Sequence, residues 1–259
     1  MSAVEDLKQR LGIIADLDAT AAVLGWDQET YMPPGAIEAR AEQLTTLARL
    51  SHEKFTDEEI GRLLEAAATE LDGTSFDVGN PAFDSDDASL VRVATRDWKR
   101  ATKIPADLVA RLAHASSMGQ QAWQQAREVS DFSVFKSHLE AIVELTGEKA
   151  EALGYKDRIY DPLLAEFEPG ISTAEIESLF TTLRERLIPI VQELTEETSS
   201  GGITDYESPP TAQSQSALPP LDRSFDEAAQ WDFGVAVIKD FGFDFNHGRQ
   251  DRSAHPFTT

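Results

Sequence analysis

Apolar residues recur at three- and four-residue steps along most of the chain, the spacing that gathers side chains on one face of an α-helix. Val4, Leu7, Leu11, Ile14 and Leu17 form one such stripe. Leu108, Leu112, Ala115 and Ala122 form a second, and Phe132, Phe135, Leu139 and Ile142 a third. The longest is Ile176, Leu179, Phe180, Leu183, Leu187, Ile190, Val191 and Leu194, within which Pro189 predicts a kink. All four read as core-facing. Start signals coincide with the periods. Thr56 with Glu59, Ser172 with Glu175 and Ser224 with Glu227 each fit a capping box, in which hydroxyl and carboxylate satisfy backbone N–H groups of the first turn. Gly154 follows the apolar run ending at Leu153 and predicts a helix stop. Together these signals predict helices over 3–25, 36–50, 56–72, 85–102, 106–129, 132–153, 172–197 and 224–240. No strand-like alternation competes, so the predicted class is all-α.

Three stretches interrupt the helical pattern. Residues 72–87, DGTSFDVGNPAFDSDD, are a polar loop rich in Gly, Pro and Asp. Residues 159–172, IYDPLLAEFEPGIS, are too proline-interrupted for a helix, yet Tyr160, Leu163, Leu164 and Phe167 predict a packed, ordered connection. Residues 198–224 hold two proline pairs and little apolar content, which marks a surface loop or a hinge. No internal repeat is present, and no domain boundary is predicted beyond that loop.

Composition bounds what such a helical chain can be. A 41% hydrophobic content over 259 residues suffices for a real core. No stretch approaches the roughly 18–20 consecutive apolar residues that a membrane span needs. The opening MSAVEDLKQRLG lacks the basic and apolar regions of a signal peptide, so the expected address is the cytoplasm, with no membrane partner. Zero cysteines exclude disulfides and thiolate zinc sites, leaving His and carboxylates to hold any metal. A formal charge of -23, from 46 acidic against 23 basic residues, repels phosphate backbones and predicts no nucleic-acid partner. Fifteen Arg against eight Lys fits a surface adapted to high salt, and an ordinary acidic cytoplasmic protein fits equally well.

Catalytic signatures are sparse. The five histidines are His52, His114, His138, His247 and His255, and no two stand three or four residues apart, the spacing that pairs imidazoles on one helix face. In HEKFT (52–56), Thr56 occupies the place a second ligand would need. His114 and His138 lie in ordinary amphipathic patterns and read as structural or solvated. There is no nucleophile elbow, phosphate loop or dinucleotide-binding turn. Two stretches stand out. LGWDQETYMPPGAIEAR (24–40) ends one helix and opens the next; Trp26, Tyr31 and Met32 supply apolar area at the corner, and Asp27 is placed to cap free N–H groups. FGFDFNHGRQDRSAHPFTT (241–259) alternates Phe241, Phe243 and Phe245, turns at Asn246–His247–Gly248, and then bunches Arg249, Asp251, Arg252 and His255 before Pro256. Mixed charge, imidazole and aromatics on a loop fit the rim of a site as well as a structural loop.

Four segments carry a resemblance. LGWDQETYMPPGAIEARAEQLTTLA (24–48), ATKIP (101–105), YDPLLAEFEPG (160–170) and GFDFNHGRQDRSAHPFTT (242–259) are similar, in the right order over nearly the whole chain, to the carboxypeptidase Taq family of metallocarboxypeptidases. The resemblance implies an almost wholly helical fold with a long, deep groove, a homodimer, and release of single residues from peptide C-termini. It also implies zinc, or sometimes cobalt, held by the two histidines of a His-Glu-x-x-His helix and a downstream Glu. The Glu of that helix would serve as general base while the metal polarises the scissile carbonyl. Of the family's motif residues, His255, Pro256 and Phe257 match here. They would line the substrate pocket near the metal, with His255 orienting substrate or stabilising charge rather than ligating. Trp26 and Asp27 match a family marker, and the packed-corner reading of them stands beside it.

Family members run to roughly double this length, and their metal-binding helix follows the His-Pro-Phe element. The chain therefore reads as the N-terminal helical portion of such an enzyme, residues 1–259, with the catalytic half absent. The expectation is that it binds no zinc and cleaves no peptide alone. The alternative is a non-catalytic helical partner or one half of a split enzyme. A partial fold should also expose apolar stripes and self-associate.

Overall fold

Each of the eight periodic segments becomes a helix in the computed structural model, which describes residues 2–71, 83, 85–199 and 224–258, with the backbone alone over 196–199. The helices are α1 (Ala3–Thr30), α2 (Ile37–Phe55), α3 (Glu58–Glu70), α4 (Asp86–Ala101), α5 (Ala106–Val129), α6 (Ser133–Leu153), the single turn α7 (Asp161–Leu164), α8 (Thr173–Ser199) and α9 (Glu227–Asp240). No strand occurs among the described residues, and the class is all-α. Most of the loops predicted at 72–87 and 198–224 lie outside the described residues.

The chain divides into two units, Met1–Thr173 with Ser253–Thr259, and Ala174–Arg252. In the first, the α1 stripe meets α3 and α4: Val4, Leu7 and Ile14 pack with Ile60, Leu64 and Ala67 and with Val91 and Ala94. Burial is tight enough that Gly61 is required, because a Cβ there would stand 2.6 Å from the Trp98 ring. Beside this core, α2 packs on α5 and α5 on α6, with α1 against α2. Gly119 lets α5 approach α6, since a Cβ there would reach Ile142 Cδ1 at 2.8 Å.

Several boundaries differ from those the pattern predicts, for local reasons. The first helix continues through Trp26 and Asp27 to Thr30. Asp27 caps nothing with its side chain. Its carboxylate pairs with Arg40 Nη2 at 2.6 Å, and Arg40 Nη1 donates to the Leu24 carbonyl, so α2 braces the end of α1. Trp26 and Tyr31 meet edge to face at 5.6 Å, which makes this a packed corner. The second helix runs on to Phe55, where Thr56 turns its hydroxyl back to the His52 carbonyl at 2.8 Å. With that hydroxyl spent, Asp57 caps α3 instead, accepting from Glu59 N at 2.7 Å. Asp226, not Ser224, caps α9, accepting from Ala229 N at 2.8 Å. Gly154 ends α6 with φ of 77°, as predicted.

The 159–172 connection holds one helical turn after all, because Pro162 fits the first turn, where no N–H is needed. Pro162 is buried and its carbonyl accepts from Arg100 Nη2 at 2.8 Å, while Phe167 is exposed. Asp161 Oδ1 accepts from Thr173 N at 2.9 Å and from the Thr173 hydroxyl. These bonds, with Arg158 nearby, hold the Asp161 carboxyl below the usual carboxylate range.

Two stripes depart from the core reading. In the α6 stripe, Phe135 and Ile142 are half-buried, but Leu139 and Phe132, the residue just before the helix, are exposed. On α8, in the second unit, Leu179, Phe180, Leu183, Leu187, Ile190, Val191 and Leu194 are all exposed.

Candidate functional site

A groove of about 640 Å³ opens in the first unit. One helix supplies its floor: Ser116, Gly119, Gln120 and Trp123 follow at three- and four-residue steps and so share one face of α5. Phe135 and Ile142 of α6 give an apolar wall, Glu29 joins the lining from the last turn of α1, and the terminal segment contributes His255 and Phe257. Among the described residues of the lining, Glu29 is the one carboxylate and no Lys or Arg joins it.

The helices around the groove are laced by amides. Gln120 Nε2 and Gln124 Nε2 each donate to Glu29 Oε2 at 2.9 Å, so both bonds hold one carboxylate oxygen. Gln28 Nε2 donates to the Ser117 carbonyl at 3.1 Å, and Ser117 Oγ returns a bond to Gln28 Oε1 at 2.8 Å. Hydrogen bonds between partly buried polar groups fix the last turn of α1 on α5, and bonds to an ionised partner are the stronger kind.

His255 sits at the groove with its ring edge-on to Trp123, the centroids 5.9 Å apart at 73°. Its Nδ1 lies 2.8 Å from the Pro256 carbonyl oxygen. A carbonyl only accepts, so Nδ1 is the donor, and Nε2 is the ring nitrogen turned away from that bond. Nε2 has no partner among the described residues. Ser253 Oγ donates to the His255 carbonyl at 2.6 Å. Arg127 Nη1 donates to the Ala254 carbonyl, and its guanidinium lies 5.5 Å from the Trp123 ring centroid. Phe257 lines the groove, and Pro256 lies between it and His255.

The other residues expected to gather near the terminus find separate partners. Arg249 pairs with Asp251 at 2.6 Å. Arg252 stands 5.6 Å from the Trp231 ring and 3.7 Å from Glu227. His247 Nδ1 bonds Asp244 Oδ2 at 2.7 Å, closing the turn, and the bonds from Asn246 and His247 hold the Asp244 carboxyl below its usual range. Phe243 and Phe245 stack edge to face at 4.9 Å. His52 Nε2 donates to the Ile104 carbonyl at 2.8 Å, and His114 Nε2 lies 3.6 Å from Glu42.

Glu29, Gln120, Gln124, Trp123 and Arg127 escaped the reading of the sequence. For the four on α5 the signal was present in MGQQAWQQAR, where Gln120, Trp123, Gln124 and Arg127 repeat at helical spacing as a mainly polar stripe around one indole. A search for apolar stripes passes over a polar one.

Among the described residues no three His, Asp or Glu groups converge to hold an ion. In the groove, Glu29 Oε2 is occupied by two amides and His255 Nδ1 by a carbonyl, which leaves too few free donors for tetrahedral coordination. The residues described do not fit a zinc site. No helix among them is long and apolar enough to cross a membrane.

Comparison with known proteins supplies the family. The model of the carboxypeptidase Taq (M32) metallopeptidase family matches residues 6–259. The chain is 33% identical over 262 residues to thermostable carboxypeptidase 1 of Thermus thermophilus, covering 97% of this chain and 46% of that protein. It is 31% identical to thermostable carboxypeptidase 1 of Pyrococcus furiosus over 239 residues, covering 92% and 43%. Among solved structures, Pyrococcus furiosus carboxypeptidase superposes with a TM-score of 0.71 at 27% identity over 100% of this chain and 48% of that one. The M32 carboxypeptidase of Deinococcus radiodurans gives 0.68 at 30% identity over 99% and 46%. The chain spans about half the length of these relatives, and it belongs to the carboxypeptidase Taq (M32) metallopeptidase family.

Proposed function

We propose that the α5–α6 groove is one wall of the substrate cleft of a metal-dependent carboxypeptidase that releases single residues from peptide C-termini. The observation that supports this most directly is that His255 and Phe257, two of the three motif residues matched to the family, line the groove. Trp123, Phe135, Ile142 and Phe257 offer apolar area to a peptide side chain, and the open Nε2 of His255 accepts from a peptide N–H, or donates to a carbonyl when protonated. His255 is read as substrate-orienting, Pro256 and Phe257 as substrate-binding.

The divalent metal that the family implies, zinc or cobalt, is supplied with ligands by parts of the family fold outside these residues. It would polarise the scissile carbonyl. The 259-residue chain alone is then inactive, and the complete enzyme is a cytoplasmic homodimer acting on peptides. The test is zinc analysis of the purified chain together with a terminal-residue release assay in added zinc or cobalt. The expected result is no stoichiometric metal and no release; metal-dependent turnover by this chain alone would overturn the reading. A peptide with a free C-terminal carboxylate should perturb the His255 ring signals in nuclear magnetic resonance, and an absence of any perturbation would count against the groove as a peptide site.

A further inference from the structure

The geometry points to Arg127 and Trp123 as a positioning pair that holds His255 at the groove. Residues 253–258 have no helix or strand to fix them, and the local bond from His255 Nδ1 to the Pro256 carbonyl sets the ring only relative to its own segment, so its placement at the groove depends on contacts with other elements. Two of these reach it from α5. Arg127 Nη1 donates to the carbonyl of Ala254, the residue immediately before His255. Trp123 meets the His255 ring edge-on at 5.9 Å. The two are coupled to each other, because the Arg127 guanidinium stands 5.5 Å from the Trp123 ring centroid. They are four residues apart on one helix, a spacing that places side chains one above the other.

Arginine suits this position better than lysine. Its planar guanidinium donates along its edge while its face or rim rests near an aromatic ring, whereas an ammonium offers one point of charge. A cation beside the half-buried Trp123 indole is attracted by the ring's negative face, which biases the side-chain rotamer without being needed for folding. Arg127 is exposed, while Ala122 and Ala126 on the same helix are buried. The helix that carries the pair is therefore anchored independently of it, which is the condition for precise placement of a site group. Ser253 Oγ, donating to the His255 carbonyl at 2.6 Å, tightens the same segment from within. Arg127 and Trp123 act on substrate only through His255. This assignment rests on reading His255 as a substrate-orienting group, but the placement of His255 can be measured without any substrate.

The measurement is a proton–carbon correlation spectrum of the histidine rings in the 259-residue chain. His255→Gln identifies the His255 signal among the five. In the wild type that signal carries the ring-current displacement of Trp123. Arg127→Ala should remove the displacement and bring the signal to the position of histidine in an unstructured peptide, with His52 and His138 unmoved and the helical circular dichroism unchanged. Trp123→Leu should give the same loss, and Arg127→Lys, which keeps a donor and a cation, should restore the displacement at least in part. An unmoved His255 signal in Arg127→Ala would overturn the assignment, and so would a movement shared by His52 and His138. If the spectra move as expected but a peptide perturbs no His255 signal in the wild type, the positioning stands and the peptide-site reading fails.

Discussion

The stripes of α1 and α8 have the same period and opposite surroundings. Leu7 of α1 is 0% exposed, while Leu183 of α8 is 53% exposed. A 3.6-residue period states only that a helix has an apolar face; burial needs a second apolar surface in register with it. For α1 that surface is supplied by Ile60 and Leu64 of α3 and by Val91 of α4. Within its own unit, Ala174–Arg252, the α8 face remains exposed. The contrast should be largest in stability. Leu7→Ala leaves a cavity in the three-helix core and should cost about 2–5 kcal/mol in chemical denaturation. Leu183→Ala should stay within about 0.5 kcal/mol. A row of exposed leucines also favours association, so Leu183→Asp with Leu187→Asp should lower the apparent mass in light scattering. An equal loss of stability in Leu183→Ala would break the comparison.

A second test sharpens it at glycines. Gly61→Ala would drive a methyl into the Trp98 ring, 2.6 Å away, and should destabilise by about 1–3 kcal/mol. Gly147→Ala on α6 meets nothing within 4 Å and should stabilise by up to about 1 kcal/mol through helix propensity. Thermal melts of the two variants should move in opposite directions.

What the sequence made legible follows from range. Helices were readable because their periods and many of their ends are local, as at Gly154, where the backbone takes the positive φ that glycine permits. The corrected boundaries were set by competition over short distances: Thr56 bonding back into α2 displaced the cap to Asp57. The groove was only half readable. His255 and Phe257 were visible through a family motif, but Glu29 reaches Gln120 and Gln124 across 91 and 95 residues, and no periodicity links α1 to α5 over that span. The exposed face of α8 was misread for the same reason, since period is local and burial is not.

The caps give a smaller effect at a place where two neighbouring residues compete. Asp57→Ala removes the acceptor for Glu59 N and should cost about 1 kcal/mol. Thr56→Ala removes only a bond back to His52 and should stay within about 0.5 kcal/mol. The reverse order would restore the capping box at Thr56. Urea denaturation of the two single variants decides between them.

The last contrast is one of pH. Asp161 accepts two bonds from Thr173, the first residue of α8, and these hold its carboxyl below the usual range in the folded chain. In the unfolded chain the same group titrates near about 3.9. Between those two values the unfolded state binds more protons, so stability falls as pH falls through the window and is fully present above it. In Asp161→Asn the contribution is missing at every pH. The wild type should therefore lose stability more steeply than the variant below about pH 4, and the two urea midpoints should converge as Asp161 protonates. Parallel curves would mean that the Thr173 bonds contribute nothing ionic. A steeper loss confined to the wild type would place the start of α8 among the pH-sensitive joints of the fold, while the apolar core of α1, α3 and α4, with no carboxylate among its buried residues, stays indifferent.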